Sequence, residues 1–246
     1  MFFISITWNV YVLENADKFI WFDHTYDHKQ PHRLNRDELK SQLSENFKFS
    51  QAYNINANYN YSVYDLKLWT KFFTNFYFLL SLCLRTPHHS GIYPVKPDLF
   101  ELWSNDFFIK SASTSSYPDT RPLQFRRGFI YKDVMVAPRQ PSYMYTSSRN
   151  FETHNTDFNY WISLSEGGYL FEVLLYNQVS IFMTHIPNYS HERLAMFLFR
   201  NVFEFLSCWT NLQFYSLPPL DIVKKYFEFN PNEKEPLWIV GFFESE

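Results

Sequence analysis

The sequence predicts an α/β domain, layered or barrel-like, in which short strands are delivered between helices. Three observations predict it. Leu194, Phe197, Leu198, Phe205, Leu206 and Trp209 recur at spacings of three, four and seven or eight, one apolar face of a long helix. Asn35, followed three residues later by Glu38, forms the signature of a capping box at the start of a second helix. Between them, 107–110, 128–136, 169–176 and 179–184 are short apolar runs bounded by turn residues and read as strands. No internal repeat is visible.

Taken in order, residues 1–13 are apolar but lack the basic flank and small-residue cleavage site of a signal peptide. Residues 18–22 read as a buried strand that delivers the histidine-rich stretch after it. The helix opened by Asn35 begins at Arg36 and buries Leu39, Leu43 and Phe47. Residues 51–63 are rich in Asn and Tyr and read as loop. The Phe/Leu-rich stretch that follows is unbroken only over 76–84, too short to span a bilayer, and Lys71 and Asn75 interrupt the longer run. Gly167 and Gly168 punctuate the approach to the 169–176 strand. Ser190 is placed as cap of the long helix, and Pro218 and Pro219 open a shorter one over 220–229 that carries Val223 and Phe227.

Composition bounds the function. The chain of 246 residues is long enough for a sizeable core, with 46% apolar and 19% charged residues. A net charge of −3 argues against a general nucleic-acid binder, so a polyanionic ligand would need a local basic patch. Aromatic residues reach 22%, either a carbohydrate site lined with rings or a codon bias; the bias is favoured because the excess runs along the whole chain. Cys83 and Cys208 lie in apolar runs and are expected to be buried thiols. Two glycosylation triplets begin at Asn60 and Asn188.

The chemistry-bearing residues fall in three histidine contexts. His24 and His28 are four apart; on a helix their side chains would lie on one face about 6 Å apart, a reach that suits two imidazoles on one divalent ion. Surface or core histidines are the alternative, with Asp23 and Asp27 beside them as supporting or solvated carboxylates, and His32, after Pro31, leaves that face. His88 and His89 sit in a Pro/Gly-punctuated turn over 86–94, able to contact sugar or metal or simply to form the turn. His185 ends the 180–184 strand, where α/β folds place active groups, and reads equally as a general acid or as a half-exposed strand-end histidine. Arg126, Arg127 and Arg139 can pair with sulfate or carboxylate, or serve as surface charge. Neither a phosphate-cradling glycine loop nor a G-x-S-x-G or C-x-x-C motif occurs.

Residues 86–94, the Arg126-Arg127-Gly128-Phe129-Ile130 run, the MVAPRQ segment over 135–140, and residues 167–177, 180–185, 209–212, 217–219, 225–227 and 233–238 together resemble the N-deacetylase domain of heparan sulfate N-deacetylase/N-sulfotransferases. The likeness covers about 9–50 and 86–238. It implies a partial N-deacetylase domain over 1–246 with the fold of an incomplete, distorted (β/α) barrel of the polysaccharide-deacetylase type. It also implies metal-dependent removal of acetyl from N-acetylglucosamine in heparan sulfate precursor polysaccharide, in a Golgi membrane enzyme facing the lumen. His24 and His28 then hold a divalent metal of zinc or calcium type, His185 is the general acid, and His88, His89, Arg126, Arg127 and Arg139 face the glycan. Neither nucleic acid nor a PAPS site is implied for this stretch, and membrane attachment is expected only through an anchor of the longer family protein.

Three departures accompany the resemblance. The family's paired aspartates, a base and a third metal ligand, have no Asp-Asp counterpart before Asp23. Residues 64–85 read as an insertion foreign to the family, with translated intron expected there and at 1–7 and 239–246. The chain stops where the family's sulfotransferase domain should begin, and that domain is expected to be absent from it. The competing expectations are a catalytically inactive fragment that only binds the glycan, and a membrane-associated interaction protein built on 72–84.

Overall fold

The computed structural model describes residues 14–15, 25–55, 90–114, 126–140, 142, 158–184, 186–189 and 193–236. It contains a small three-stranded sheet with helices on both faces, the mixed α/β class that the sequence predicts. Strand β1 (Ser111–Thr114) and the hairpin β2 (Phe129–Tyr131) and β3 (Val134–Pro138) assemble in the order β1-β3-β2. β1 runs parallel to β3, with Ser111 opposite Met135 and Thr114 opposite Pro138, and β2 is antiparallel to β3.

Alternation along β3 explains the two faces. Val134 and Val136 enter one core with Leu39, Leu43, Phe100, Trp103 and Phe129. Ala137 enters a second core with Ile181, Val223, Tyr226 and Phe227. Helix α1 (Arg36–Ala52) packs in the first; its capping box is formed, Asn35 Oδ1 accepting from the Glu38 amide and Glu38 Oε2 from the Asn35 amide, each at 2.9 Å. Phe47 is only partly buried, so the apolar stripe on α1 ends near Leu43. Helix α2 (Pro97–Glu101) continues into a π-helical turn, Leu102–Asp106, and fills the same core.

Helices α3 (Phe158–Ser165), α4 (Tyr169–Tyr176) and α5 (Leu194–Trp209) form a third cluster with Phe182. The periodic face of α5 buries Leu194, Leu198, Val202 and Leu206, and burying each large apolar side chain contributes about 1.5–3 kcal/mol; of the other predicted members, Phe197 and Phe205 are partly buried and Trp209 is exposed. Its N-cap is Arg193 at φ 56°, while Ser190 lies outside the described residues. Helix α6 (Pro219–Phe229) starts at the paired prolines, as predicted, and covers the sheet face that bears Ala137. Among the described residues, no helix is long and apolar enough to cross a membrane.

Several expectations are corrected. Residues 107–110 are irregular, with Phe108 at φ 54°, and the strand begins at Ser111. Residues 128–136 are not one strand: Lys132 and Asp133, at φ 48° and 61°, turn the chain into a hairpin. Residues 169–176 are helix α4, because Leu170, Val173 and Leu174 share one buried face against α5. Residues 179–184 form no strand: Val179 lies in a bend, and Phe182 makes an isolated parallel bridge to Gln140. Cys208, on the last turn of α5, is exposed rather than buried. The expected strand at 18–22, the 64–85 insertion and Cys83 lie outside the described residues.

Candidate active site

His28 stands on an exposed turn that α1 grips through Gln42. The buried Gln42 carboxamide accepts from the Asp27 amide at 2.8 Å and donates to Asp27 Oδ2 at 3.0 Å. Thr25 Oγ1 donates to the Lys29 carbonyl at 3.1 Å, and Lys29 Nζ lies 3.4 Å from Asp27 Oδ2. Thr25 and His28 have φ of 61° and 57°, in the left-handed region, so this stretch is no helix. The helical premise for the spacing of His24 and His28 is not met over 25–30, and His24 itself lies outside the described residues. Among the described residues, no three His, Cys, Asp or Glu side chains form a group able to hold a metal ion. Among the described residues, His28 and the engaged Asp27 alone fall short of the three protein ligands of an open catalytic zinc site.

Pro31–Arg33 form a single 3-10 turn after His28, and His32 on it reaches the turn that follows His88 and His89. The His32 amide donates to Ser90 Oγ at 2.9 Å, the Gly91 amide donates to His32 Nδ1 at 2.9 Å, and Nδ1 is 3.0 Å from Ser90 Oγ. Burial holds the imidazole below its ordinary pKa, a hydrogen bond to the Pro94 backbone opposes this, and the Lys96 charge adds to the depression. The Lys96 ammonium in turn donates to the Leu34 carbonyl. The first two histidine contexts are thus brought together, although His88 and His89 are not among the described residues. Sequence spacing gave no sign of this, because the partners of His32 lie nearly sixty residues away.

A second constellation forms where β1 and β3 end. The Arg139 amide donates to the Thr114 carbonyl at 2.9 Å, and the Gln140 amide to the Ile181 carbonyl at 2.8 Å. Ser142 Oγ donates to the Met183 carbonyl at 3.1 Å, so Gln140 and Ser142 lie beside 181–184, the segment that leads to His185. Thr184 Oγ1 and the Tyr189 hydroxyl lie 2.8 Å apart, tying the two sides of position 185 together, and burial raises the Tyr189 pKa so that the phenol keeps its proton. His185 is outside the described residues. Arg139 is buried, and Arg126 Nη1 donates to its carbonyl at 2.8 Å. Arg127 Nη2 donates to the carbonyls of Asn232 and Glu235 at 3.2 and 3.1 Å. Arg126 Nη1 and Arg127 Nη2 are thus engaged by backbone carbonyls, a use of arginine that composition cannot reveal.

Comparison with known proteins places the chain. The family model described as heparan sulfate-N-deacetylase, deacetylase domain, matches residues 8–70 and 81–171. A bifunctional heparan sulfate N-deacetylase/N-sulfotransferase of Drosophila melanogaster is 34% identical over 229 residues, 93% of this chain and 20% of that protein. Bifunctional heparan sulfate N-deacetylase/N-sulfotransferase 3 of Homo sapiens is 36% identical over 228 residues, 92% of this chain and 24% of its own length. The corresponding enzyme 1 of Caenorhabditis briggsae is 35% identical over 227 residues, again 92% and 24%. The chain spans about a fifth to a quarter of the length of these curated relatives. With its first two histidine contexts and its arginines inside the matched segments, and the His185 context beyond them, the chain belongs to the heparan sulfate N-deacetylase family, by its deacetylase domain.

Proposed function

We propose that this chain provides the N-deacetylase part of a bifunctional heparan sulfate N-deacetylase/N-sulfotransferase and hydrolyses the acetamide of N-acetylglucosamine residues in the precursor polysaccharide. The observation that carries the reading is the family match, whose two segments contain His24, His28, His88, His89, Arg126, Arg127 and Arg139. His185 is assigned as the general acid that protonates the departing amine. His24 and His28 are assigned to a divalent metal of zinc or calcium type, which when bound supplies Lewis acidity at the acetamide carbonyl. His88, His89 and the three arginines are assigned to the glycan. The parallel pairing of β1 with β3 and the parallel bridge from Gln140 to Phe182 support a distorted, incomplete (β/α) barrel. A lumenal Golgi location, with membrane attachment through another part of the longer protein, belongs to the same proposal.

The experiment is acetate release from N-acetylheparosan by the full chain, with and without a chelator. The expected result is metal-dependent release that His185→Ala abolishes without lowering the melting temperature. Unchanged turnover in that variant would remove His185 from the mechanism. Salt-sensitive binding of the polysaccharide with no acetate released would favour an inactive glycan-binding role, a reading prompted by the shortage of metal-donor groups among the described residues.

A further inference from the structure

We propose that His32 is a positioning residue, a neutral imidazole clasp that holds the 90–95 turn, which follows His88 and His89 in the sequence, against the segment carrying His28. Two bonds define the clasp. Backbone to side chain, the His32 amide donates to Ser90 Oγ at 2.9 Å; in the opposite direction, the Gly91 amide donates to His32 Nδ1 at 2.9 Å. An N–H donor pointing at Nδ1 requires that nitrogen to be the unprotonated one, which places the ring proton on Nε2. Ser90 Oγ lies 3.0 Å from the same nitrogen, so its hydroxyl can donate there too while accepting from the His32 amide. Ser90 itself is buried, and Gly91 sits where a Cβ would lie 2.9 Å from Pro31 Cβ. The two segments therefore meet with no room for a side chain at position 91.

The clasp bears on function because Ser90 and Gly91 directly follow His89 in the chain. Fixing their amide and hydroxyl fixes where the chain emerges from the two histidines that the proposed function assigns to the glycan. That consequence rests on the proposed function, whereas the tautomer and the clasp do not. Only an acceptor at the Nδ1 position is needed. Asparagine places its Oδ1 near that point, and alanine places nothing.

The test uses the full chain, with His32→Ala and His32→Asn. Ring nitrogen NMR should show Nδ1 unprotonated and Nε2 protonated at neutral pH, and the Gly91 amide should be protected from exchange. His32→Ala should lose that protection and weaken binding of an N-acetylheparosan oligosaccharide roughly three- to tenfold, the loss of about one hydrogen bond. His32→Asn should restore both. A proton on Nδ1, or an unprotected Gly91 amide in the unaltered chain, overturns the clasp. Equal loss of binding in the Ala and Asn variants, or no loss in either, overturns its positioning role. If the unaltered chain does not bind the oligosaccharide, the glycan assignment and with it the positioning role fail, and the nitrogen and exchange measurements still decide the clasp.

Discussion

The Gly128 amide donates to the Tyr226 hydroxyl at 3.1 Å and to Glu233 Oε2 at 2.8 Å, so the start of β2, helix α6 and the turn after it converge on one N–H. The Tyr226 hydroxyl donates in turn to Glu233, and burial followed by the Glu233 carboxylate pushes its pKa upward. Outside this junction, the Ile130 amide donates to the Lys234 carbonyl at 2.8 Å and Arg127 binds the carbonyls of Asn232 and Glu235. The 230–235 segment thereby covers the open edge of β2, which would otherwise present unpaired backbone groups.

Removing the hydroxyl should be felt as the loss of a charge-assisted bond in a partly buried site. Tyr226→Phe is expected to lower unfolding free energy by about 1–3 kcal/mol. Gly128→Ala should cost at least as much, because its Cβ would lie 2.7 Å from Tyr226 Cε1 and 2.7 Å from the Val136 carbonyl oxygen. Urea denaturation measures both, and a Gly128→Ala chain as stable as the original would show that this junction yields easily.

Gly91 and Gly167 separate backbone strain from crowding. Both have φ in the left-handed region, at 85° and 88°. A Cβ on Gly167 would meet nothing within 4 Å, whereas one on Gly91 would lie 2.8 Å from Leu99 Cδ2 and 2.9 Å from Pro31 Cβ. Gly167→Ala should therefore cost about 1–2 kcal/mol, the left-handed penalty alone. Gly91→Ala adds overpacking, about 1–3 kcal/mol more. Thermal melts of the two variants should differ by that second amount.

Acid should weaken the first core's surroundings. The His32 pKa lies below 6.5 in the folded chain, chiefly through burial, so the unfolded chain binds the proton more readily. Its contribution is complete above the unfolded value and is lost as pH falls from there through the folded value. Glu101 acts at lower pH: hydrogen bonds from Lys132 and then Arg36 depress its pKa below 4.5, and the stability they give is lost as the carboxylate is protonated. Its exposed position limits that share. Melting temperature followed from pH 7 downward should fall first in the histidine range, and His32→Asn should remove that first decline while leaving the second.

Local signals were legible where partners were close in sequence. The capping box at Asn35 and Glu38, the paired prolines before α6 and the apolar period of α5 all describe contacts within a turn or two; the first two are formed, and the period holds from Leu194 to Leu206 but not at the exposed Trp209. Helix α4 was hidden because its Tyr, Phe and Val residues favour strands taken singly, and packing of Leu170, Val173 and Leu174 against α5 selects the helical period. The β2–β3 turn was hidden because Lys132 and Asp133 adopt left-handed backbone without glycine. In the candidate site, residue types and contexts were legible, and relative placement was not. The His28 turn depends on Gln42, fifteen residues on, and the His32 clasp on Ser90 and Gly91, contacts that no local period encodes.

The grip of Gln42 on Asp27 gives the last prediction, which separates the stability of α1 from the placement of His28. Asn35→Ala removes the helix cap and should cost about 1 kcal/mol, with the His28 turn unchanged because its contacts lie further along the helix. Gln42→Ala removes both bonds to Asp27, at 2.8 and 3.0 Å, from a buried side chain, and should cost about 1–3 kcal/mol. It should also release the turn: amide exchange at Asp27 should accelerate in this variant and stay slow in Asn35→Ala. If exchange at Asp27 quickened equally in both, the turn would be following the stability of the whole helix, and Gln42 would have no particular hold on the segment that presents His28.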